Sequence, residues 1–585
     1  MDGTRRGVIL PVVLFVLVLL GLLVAMFSFR VNADLAATQA VAYRQQARLA
    51  AEAGVDAVKL LLRTARLEVN RWYHNPDELH RIIVWAPGIE PTLWGTNEEL
   101  DEGWVAFRFS IVADDPTDDE KYIRFGITDA AACVNLNTAT EEQLLYLVGA
   151  VAGGDEEFNP TEIVDAILDW RDQDALPRGG AADTEGEYYR ALAEPYRVKN
   201  GDFDTVEELL LVKGVTPRIL FGEDLDRNGL LSPNEDDGDE SFPPDNGDGV
   251  LNRGVFPYLT VFSAEDNVSN DNRQRIYLFA DENVVREELG KVFEDDPGVI
   301  DYIVEVTRTQ TRGSGRGGSP ENDGGDSQPS GEEGDASADT DADPEGDKDA
   351  TRQQRRDEDP KPEGDAAEDA DAPATGETED EEESPEAETD APEEETDAPE
   401  EEEESDDVES GAAPIRSPAS LLIPRSIRGE VREGPLGPEH LAVLMDRTTT
   451  VSSEQRKIRG LINVNTAPPL VLKCLGELTD EQITSIVDLR TALDAQTKAT
   501  PAWLVTEEVV DLETFERIAP LITARGQQFT IESLGYADHI GMVVRLQVVV
   551  DMVGPIAQTV YYRDLTHLGG QYPIREEDKD NVRVR

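Results

Sequence analysis

A run of twelve residues combines carboxylates with a central glycine at spacings that suit a hard cation. Residues 224–235 read Asp-Leu-Asp-Arg-Asn-Gly-Leu-Leu-Ser-Pro-Asn-Glu. In such loops, oxygens at alternate positions surround Ca²⁺, the glycine permits a sharp turn, and the final glutamate supplies two oxygens. The sequence therefore predicts a calcium site with Gly229 at the turn. The expected ligands are Asp224, Asp226, Asn228, the backbone carbonyl of Leu230, Ser232 and Glu235.

The alternative for this loop is an acidic turn that binds no metal. No strong helical pattern follows the loop, so a structural calcium site fits better than a sensor with paired helices. A second acidic loop contains Asp245 and Asp248 as candidate ligands. Aligning Gly249 with the turn glycine places Pro244 where the first aspartate is needed, so this second site is a less complete match.

Catalytic chemistry has little support in the sequence. Asp169 and Asp172 flank Trp170 and Arg171 and could form an acid and base pair, but a salt-bridged helix end explains these residues better. The chain lacks Gly-x-Ser-x-Gly, His-Glu-x-x-His, Walker and Rossmann motifs, and its five histidines offer little general-base chemistry. We therefore predict no catalytic residues and no enzymatic activity.

The elements that must position these residues are of two kinds. Alternating apolar residues predict strands, and apolar residues at helical spacing predict helices between them. Together they predict an α+β fold, in which an antiparallel sheet forms only when distant parts of the chain meet. The expected strands are 104–112, 122–128, 529–535, 542–553 and 558–563, and the helical region 140–220 includes helices 162–170 and 204–212, the second capped by Asp204.

A short motif occurs twice in the chain. Residues 135–139 read Asn-Leu-Asn-Thr-Ala, and residues 463–467 read Asn-Val-Asn-Thr-Ala. In each copy we expect the asparagines to bond local backbone and the threonine, Thr138 or Thr466, to cap the following helix. Those helices are predicted at 142–148 and 469–475. A match this close in two places indicates a faint internal repeat, and the alternative is that a helix start is simply used twice as a folding device.

The N-terminal segment has the length and composition of a membrane span. Arg5, Arg6 and Gly7 precede residues 8–29, which carry no charge and would span roughly 33 Å as a helix. The arginines favour a cytoplasmic N-terminus. An amphipathic pattern continues to about Leu60, which predicts one long helix, half in lipid and half packed on a periplasmic domain. An ordinary signal anchor is the alternative.

The net charge of −69 is concentrated in one tract. Residues 331–410 hold 38 acidic and 5 basic residues, no aromatic residue, and Val408 as the single branched aliphatic one. Such a segment cannot bury enough apolar surface to order itself, so we predict disorder over 313–414 and interpret it as a spacer. Weaker alternatives are calcium buffering and repulsion from acidic surfaces. An acidic chain is poorly suited to binding nucleic acid through phosphates.

Several motifs together resemble the K-type minor pseudopilins of bacterial type II secretion systems (general secretion pathway protein K). The resemblance covers residues 1–310 and 415–570, and the acidic tract looks like an insertion. Its components are the Gly7–Val8 junction before the apolar helix, both Asn-x-Asn-Thr-Ala motifs, Ile-Leu-Asp-Trp-Arg-Asp at 167–172, Tyr-Arg-Val-Lys-Asn at 196–200 and Phe-Asp-Thr-Val-Glu-Glu-Leu at 203–209.

The resemblance implies a processing site and a position in an assembly. A prepilin peptidase would cut between Gly7 and Val8, and Val8 would become the methylated N-terminus. Most pseudopilins have glutamate at the fifth position of the mature chain, where this sequence has Val12. The absence of that glutamate is similar to what K-type subunits show. Without this carboxylate, the subunit cannot pair with a neighbour's N-terminal ammonium in lipid, which suits the end of the pseudopilus. The bulky helical insertion would also obstruct stacking above it.

The function implied is a minor pseudopilin that initiates or caps the pseudopilus tip. It would be a single-pass inner-membrane protein with a periplasmic C-terminal domain, calcium as its cofactor and no nucleic-acid partner. The implied partners are the I- and J-type minor pseudopilins, the major pseudopilin, the prepilin peptidase and the membrane. The expected organisation is a leader (1–7), the long helix (8–66), pseudopilin strands (67–133), an inserted SAM-like helical domain with the calcium loop (134–262), a mixed segment (263–312), the acidic insertion (313–414), a second helical domain (415–528), C-terminal strands (529–570) and a tail (571–585).

A membrane-anchored nucleic-acid-binding protein is the second hypothesis. The Asn-x-Asn-Thr-Ala motif followed by short helices also resembles helix-hairpin-helix modules, which use a glycine hairpin to present backbone N–H groups to phosphate. Residues 212–217 keep one glycine, Gly214, and have Thr216 where the second would stand. Cys133 and Cys474 leave a single disulfide open, because sequence alone cannot show that they meet.

Overall fold

The N-terminal helix dominates the first part of the molecule. The computed structural model describes residues 9–85, 106–115, 123–152, 158–174, 176–178, 185–238, 240–245, 247–294, 296–313, 414–427, 430–537 and 541–569. Helix α1 runs from Ile9 to Ala65 without interruption, 57 residues or about 85 Å. All side chains of residues 10–42 are exposed, and burial begins at Ala47.

Short elements follow α1 and start the sheet. Trp72 is buried there and packs edge-on against Phe529, with ring centroids 5.2 Å apart. The elements are α2 (Val69–Trp72), α3 (Pro76–Leu79), β1 (Ile82–Trp85), β2 (Phe107–Asp114), β3 (Ile123–Arg124) and β4 (Thr128–Asp129).

A first helical module, defined as residues 134–260, follows the first four strands. It opens with a two-residue strand and closes with another that pairs with it in parallel, so that Val134 lies beside Leu259 and Asn135 beside Thr260. The elements are β5 (Val134–Asn135), α4 (Glu141–Ala152), α5 (Pro160–Arg171), α6 (Glu185–Arg190), α7 (Pro217–Phe221) and β6 (Leu259–Thr260).

A connecting segment separates this module from a second one. Two of its strand pairs join residues before and after the acidic insertion, because β12 pairs with β7 and β11 with β8. The elements are β7 (Ala264–Asp266), β8 (Ile276–Tyr277), α8 (Glu282–Val292), α9 (Pro297–Gly313), β9 (Arg425–Ile427), β10 (Glu430–Arg432), α10 (Pro438–Arg447), β11 (Thr448–Thr449) and β12 (Lys457–Arg459).

The second helical module, defined as residues 462–523, repeats the path of the first. Its opening and closing strands are again parallel, with Ile462 beside Ile522 and Asn463 beside Thr523. The elements are β13 (Ile462–Asn463), α11 (Pro469–Lys473), α12 (Asp480–Ala492), α13 (Trp503–Thr506), α14 (Leu512–Ile518) and β14 (Ile522–Thr523).

The last three strands complete one antiparallel sheet. They are β15 (Gln528–Ala537), β16 (Val543–Val553) and β17 (Ile556–Asp564). Among the described residues the strand order is β1-β2-β15-β16-β17, with β3 paired to β2 and β4 to β15. The sheet therefore joins the beginning and the end of the chain, and both helical modules lie between its central strands β2 and β15 in the sequence. This confirms the predicted α+β fold with an inserted helical domain.

Helix α1 packs on this sheet at unusually short range. A Cβ at Gly535 would lie 1.9 Å from the carbonyl oxygen of Ala47 and 2.4 Å from the nitrogen of Ala51. The hydroxyl of Ser533 donates a 2.8 Å hydrogen bond to the carbonyl of Ala51. Small residues on both elements thus bring helix and strand backbones together. Further along α1, Val58 and Leu61 enter the apolar core between helix and sheet.

The duplication extends beyond the two sequence motifs. Asn135 and Asn463 each accept a hydrogen bond from the backbone N–H two residues later, at 2.9 and 3.0 Å. Arg171 donates to the carbonyl of Ala139 at 2.6 Å, and Arg490 donates to the carbonyl of Ala467 at 2.6 Å. One guanidinium therefore holds the end of the motif in each module, which confirms the predicted repetition as two copies of one local fold. Both modules share one continuous apolar core.

Several predicted elements differ from the observed ones. The strand at 122–128 is wrong as a single element, since β3 and β4 are separated by Gly126, where a Cβ would lie 1.9 Å from the carbonyl oxygen of Tyr73. The helix at 204–212 is a 3₁₀ helix, Val206–Leu211, and its N-cap is Thr205 rather than Asp204.

The predicted threonine caps are also wrong. Thr140, not Thr138, caps α4 by accepting the N–H of Gln143 at 3.2 Å. Thr466 donates instead to the buried carboxylate of Asp129 at 2.9 Å, and α11 begins after Pro468. In the second copy, the capping bond expected from local sequence thus gives way to a partner more than 300 residues away.

Candidate metal centre

The predicted calcium loop lies between α7 and the closing strand of the first module. Three of its expected ligands come together, since oxygen atoms of Asp224, Asp226 and Glu235 all lie within 4.8 Å of one another. Asp224 and Glu235 are buried. Carboxylate oxygens at this separation can converge on one hard cation.

The turn of the loop is set by its backbone. Gly229 has a φ of +66°, which side chains rarely tolerate, so glycine at this position permits the turn. Asp224 accepts the backbone N–H groups of Asn228 and Gly229, both at 2.9 Å. Asp226 accepts the side-chain amide of Asn228 at 2.9 Å, and the Asn228 amide oxygen accepts the N–H of Leu230 at 2.6 Å. The predicted loop geometry is therefore present.

The end of the loop is a capped 3₁₀ turn, Pro233–Glu235. The Glu235 carboxylate accepts the backbone N–H of Ser232 at 2.9 Å. Burial, followed by the charge of Asp226, raises the pKa of Glu235. This carboxylate is thus held near the other two despite the electrostatic cost of bringing them together.

The electrostatics of the loop favour a cation. Burial, together with the neighbouring carboxylate of Asp114, raises the pKa of Asp224 to about 8. Asp114 stands at the end of β2, and its Oδ1 would lie 3.5 Å from a Cβ on Gly229. A divalent ion would offset this accumulation of negative charge. The oxygen donors and the concentration of carboxylates fit a hard cation such as Ca²⁺.

Arg545 on β16 anchors the loop to the sheet. This buried arginine donates to the backbone carbonyls of Asp226 and Arg227, at 2.9 and 2.6 Å. Its Nε also pairs with Glu532 on the adjacent strand. Arg227 has a φ of +56° and pairs with Glu207 at 2.5 Å. Two adjacent peptide groups of the loop are therefore fixed by the sheet.

Sequence reasoning missed Asp114 and Arg545. Both lie on strands that are more than 100 residues from the loop in sequence, and neither belongs to a motif. These two residues could have been found only if the pairing of β2, β15 and β16 had been known beforehand.

The second candidate loop has a different arrangement. Asp245 accepts the backbone N–H groups of Gly238 and Gly247, at 2.8 and 2.7 Å, and Asp248 accepts that of Val250 at 2.8 Å. Among the residues that the structure describes, they join no group of three acidic side chains close enough to share an ion. Their oxygens stabilise turns in the described structure.

The end of α5 is salt-bridged through Arg178, whose Nε lies 4.0 Å from the Asp169 carboxylate, as the helix-end interpretation of Asp169 and Asp172 predicts. Arg171 reaches away to backbone carbonyls of the Asn-x-Asn-Thr-Ala loop, and Trp170 donates to Glu208 at 3.0 Å. Asp169 accepts the backbone N–H of Arg178 at 3.2 Å. These bonds hold the end of α5 against the rest of the module.

The residues considered for a nucleic-acid hairpin form a helix start. Gly214 has a φ of +82°, and the hydroxyl of Thr216 accepts the N–H of Ile219 at 3.3 Å to cap α7.

The two cysteines are buried and form no disulfide with each other. Cys133 donates to the carbonyl of Pro257 at 3.5 Å, and burial raises the pKa of each thiol to about 12.

The apolar half of α1 is long and apolar enough to cross a membrane, and none of it is buried in the structure. Val12 is exposed on this segment. The predicted cleavage site, Gly7–Val8, lies outside the described residues, as does all but the first and last residue of the predicted disordered tract 313–414.

Comparison with known proteins points to one family. Residues 127–221 match the model of the family described as type II secretion system (T2SS), protein K. No curated protein sequence matches the chain. Among solved structures, one similar chain comes from the crystal structure of the GspK-GspI-GspJ complex of the enterotoxigenic Escherichia coli type 2 secretion system. It has 9% identity and a TM-score of 0.31, and the match covers 92% of this chain and 99% of the other.

The matched segment runs from the strands of the sheet through the first module to the end of α7. It includes the first Asn-x-Asn-Thr-Ala motif, Arg171 and the 3₁₀ helix, whose bonds to one another are described above. It ends directly before the acidic loop. Over residues 127–221 the chain is thus similar to the type II secretion system protein K family.

Proposed function

We propose that this protein is a minor pseudopilin that initiates or caps the pseudopilus tip of a type II secretion system. The observation that carries the proposal is the unbroken helix α1, which is exposed over residues 10–42 and packed on an antiparallel sheet from Ala47 onward. Such a rod can insert beside the helices of other subunits while the head remains outside the bilayer. The protein K match over residues 127–221 supports the same assignment.

The proposed location is the inner membrane, with the head in the periplasm. The arginines before the apolar segment favour this orientation. The proposed partners are I- and J-type minor pseudopilins, with the major pseudopilin below them. A prepilin peptidase would process the Gly7–Val8 bond, and mass spectrometry of the native protein would then begin at a methylated Val8. The mechanism we propose is assembly rather than catalysis.

Cysteine cross-linking in cells tests the partner assignment. Leu35 is 54% exposed on the part of α1 between the span and the head, and Leu176 is 76% exposed on the first module. We expect Leu35→Cys to form disulfides with cysteines placed on the helices of I- or J-type subunits, and the control Leu176→Cys to form none. The native cysteines are buried and give little background.

The position in the assembly has its own readout. Labelled protein should appear once per pseudopilus, at one end, when pseudopili are extended by overproduction of the major subunit. Labels distributed along the pseudopilus, or secretion that continues unchanged without this chain, would contradict the tip assignment.

We also propose that the 224–235 loop binds one structural Ca²⁺ through the six ligands predicted from its sequence. The support is the convergence of Asp224, Asp226 and Glu235 in a partly buried loop. For the full chain in detergent, calcium should raise the unfolding midpoint and a chelator should reverse the rise. Asp224→Asn should abolish the effect, whereas Asp245→Asn, in the second acidic loop, should retain it. Equal responses of all three proteins would refute this site.

A further inference from the structure

We propose that calcium binding to the 224–235 loop and docking of the first helical module on the sheet are coupled through Arg545. This inference rests on the calcium site proposed above. Arg545 donates separate hydrogen bonds to two successive loop carbonyls, those of Asp226 and Arg227. It is a residue of β16 and is buried, so the loop backbone is attached directly to the sheet. Arg545 is a positioning residue, because it holds the loop rather than the ion.

The two carbonyls lie within the ligand-bearing half of the loop. Asp226 supplies one of the three converging carboxylates, and Arg227 follows it with a left-handed φ of +56°. Fixing both peptide groups restricts the loop before an ion arrives, and a restricted loop loses less conformational entropy on binding. The bidentate geometry matters here, since a guanidinium can reach two acceptors in a fixed fork.

A cavity lies at the junction between module and sheet. It has a volume of about 130 Å³ and is lined by Thr530 and Val549 from the sheet and by Val206 and Phe256 from the module. Because apolar contact is incomplete there, the hydrogen-bonded loop contributes a larger share of the attachment.

Other contacts also cross the junction, including Leu230 of the loop, which packs against the apolar cluster that contains Ile123 and Leu534. Arg563 on β17 pairs with Glu207 of the 3₁₀ helix at 2.5 Å, and Phe262 packs against Tyr561 with ring centroids 5.5 Å apart. Glu207 also pairs with Arg227 of the loop. The loop is therefore linked to the sheet directly, through Arg545, and indirectly, through Glu207 and Arg563.

Coupling of this kind acts in both directions. If the sheet favours the calcium-binding conformation of the loop, calcium must favour the docked module by the same free energy. Without an ion, bringing the carboxyl groups of Asp224, Asp226 and Glu235 together is unfavourable. This cost opposes the closed conformation of the loop to which Arg545 is hydrogen-bonded. Calcium is thus expected to tighten a junction that lies outside its own coordination sphere.

The test compares calcium affinity in two matched variants of the full chain in detergent. Arg545→Lys keeps a positive charge beside Glu532 but cannot hold both carbonyls. Arg48→Lys is the control, since Arg48 on α1 pairs with Glu52 of its own helix and with Asp564 on β17, at 3.2 and 3.3 Å. By calorimetric titration with CaCl₂, we expect Arg545→Lys to bind calcium about tenfold more weakly, and Arg48→Lys to match the native protein.

Hydrogen exchange provides the reciprocal measurement. In the native protein, calcium should slow exchange in residues 206–211 and 259–262, at the junction, and leave residues 462–475 of the second module unchanged. In Arg545→Lys the calcium-dependent slowing at the junction should be largely lost. This readout does not depend on secretion and reports on folded protein, because the second module serves as an internal reference.

The outcomes separate the two proposals. A native protein that binds no calcium would overturn the metal site and the coupling together. A native protein that binds calcium, with unchanged affinity and unchanged junction protection in Arg545→Lys, would overturn the coupling and leave the metal site standing.

Discussion

Asp129 determines how the second copy of the repeated motif is used. It is fully buried, and burial raises the pKa of its carboxyl group. Its side chain accepts hydrogen bonds from Asn463 at 2.6 Å, from Thr466 at 2.9 Å and from the backbone of Ala131 at 3.0 Å. One carboxyl group next to the first motif thus binds two residues of the second. This explains why identical residue types in the two motifs make different bonds.

Glu265 is the centre of a buried charge cluster in the connecting segment. It pairs with Arg275 at 3.2 Å, contacts Arg525 more closely, and accepts the hydroxyl of Thr523 at 2.5 Å. Burial alone would raise the pKa of Glu265, but the charges of Arg525 and Arg275 more than offset it, so its pKa is lowered. The cluster joins β7 to the end of the second module.

Acidification should therefore weaken this cluster. A carboxyl whose folded-state pKa is lowered stabilises the fold above its ordinary pKa of 4.5, and this contribution is lost as pH falls through the lowered value. We expect Glu265→Gln to lose about 3 kcal/mol or more at pH 7, because two buried guanidinium groups lose their partner. Its stability should also fall less steeply than that of the native protein below pH 4.5.

Urea unfolding followed by tryptophan fluorescence between pH 3 and 7 measures both effects. Glu288→Gln, which alters an exposed pair with Lys291, is the control and should remain close to the native protein throughout. Parallel acid profiles for Glu265→Gln and the native protein would contradict the assigned role.

At the level of elements, the contact between α1 and β15 depends on the absence of a side chain. We expect Gly535→Ala to destabilise the head by about 3 kcal/mol, since the added methyl would overlap the backbone of α1 at Ala47 and Ala51. Gly149→Ala, at an open position in α4, should be neutral or slightly stabilising. Thermal unfolding of both variants in detergent is the measurement, and equal midpoints would show that α1 can shift without cost.

Sequence patterns predicted elements better than they predicted contacts. The alternation of Leu546, Val548 and Val550 indicates a strand because one face of β16 packs on α1, and that period is visible locally. The cap at Thr138 was wrong because Thr140, two residues later, caps the helix, and the cap at Thr466 was wrong because its hydroxyl donates to Asp129 instead. The three carboxylates of the acidic loop lie close together, and their spacing within twelve residues is visible in the sequence. Asp114 and Arg545 could not be found, because only the folded sheet brings them to that loop.

At the level of the whole molecule, the acidic insertion leaves and re-enters the fold at nearly one point. Gln310 in α9 accepts the backbone N–H of Ile415 at 3.0 Å, across 105 residues of sequence. Residues 317–409 hold 41 acidic and 5 basic residues, a net charge of −36 out of −69. A hydrogen bond between two described residues thus closes the fold across the insertion.

Deleting residues 317–409 should stabilise the head. Shortening the loop about tenfold lowers the entropic cost of closing it by about 2 kcal/mol. The two ends of the loop remain hydrogen-bonded through Gln310. The unfolding midpoint of the deletion variant should exceed that of the native protein. A variant with the same segment replaced by an equally long Gly/Ser sequence separates chain length from charge. A deletion variant that unfolds earlier would indicate that the tract contributes to the fold.

The continuity of α1 has a geometric consequence for any assembly that holds its apolar end. Over residues 30–42 every side chain of the helix is exposed, so the length of this stretch is not fixed by packing. One residue inserted in this stretch would rotate everything beyond it by about 100° and raise it by about 1.5 Å. The number of residues in this stretch therefore sets the direction in which the head faces its neighbours. Two helix lengths give the same direction only when they differ by a whole number of helical turns.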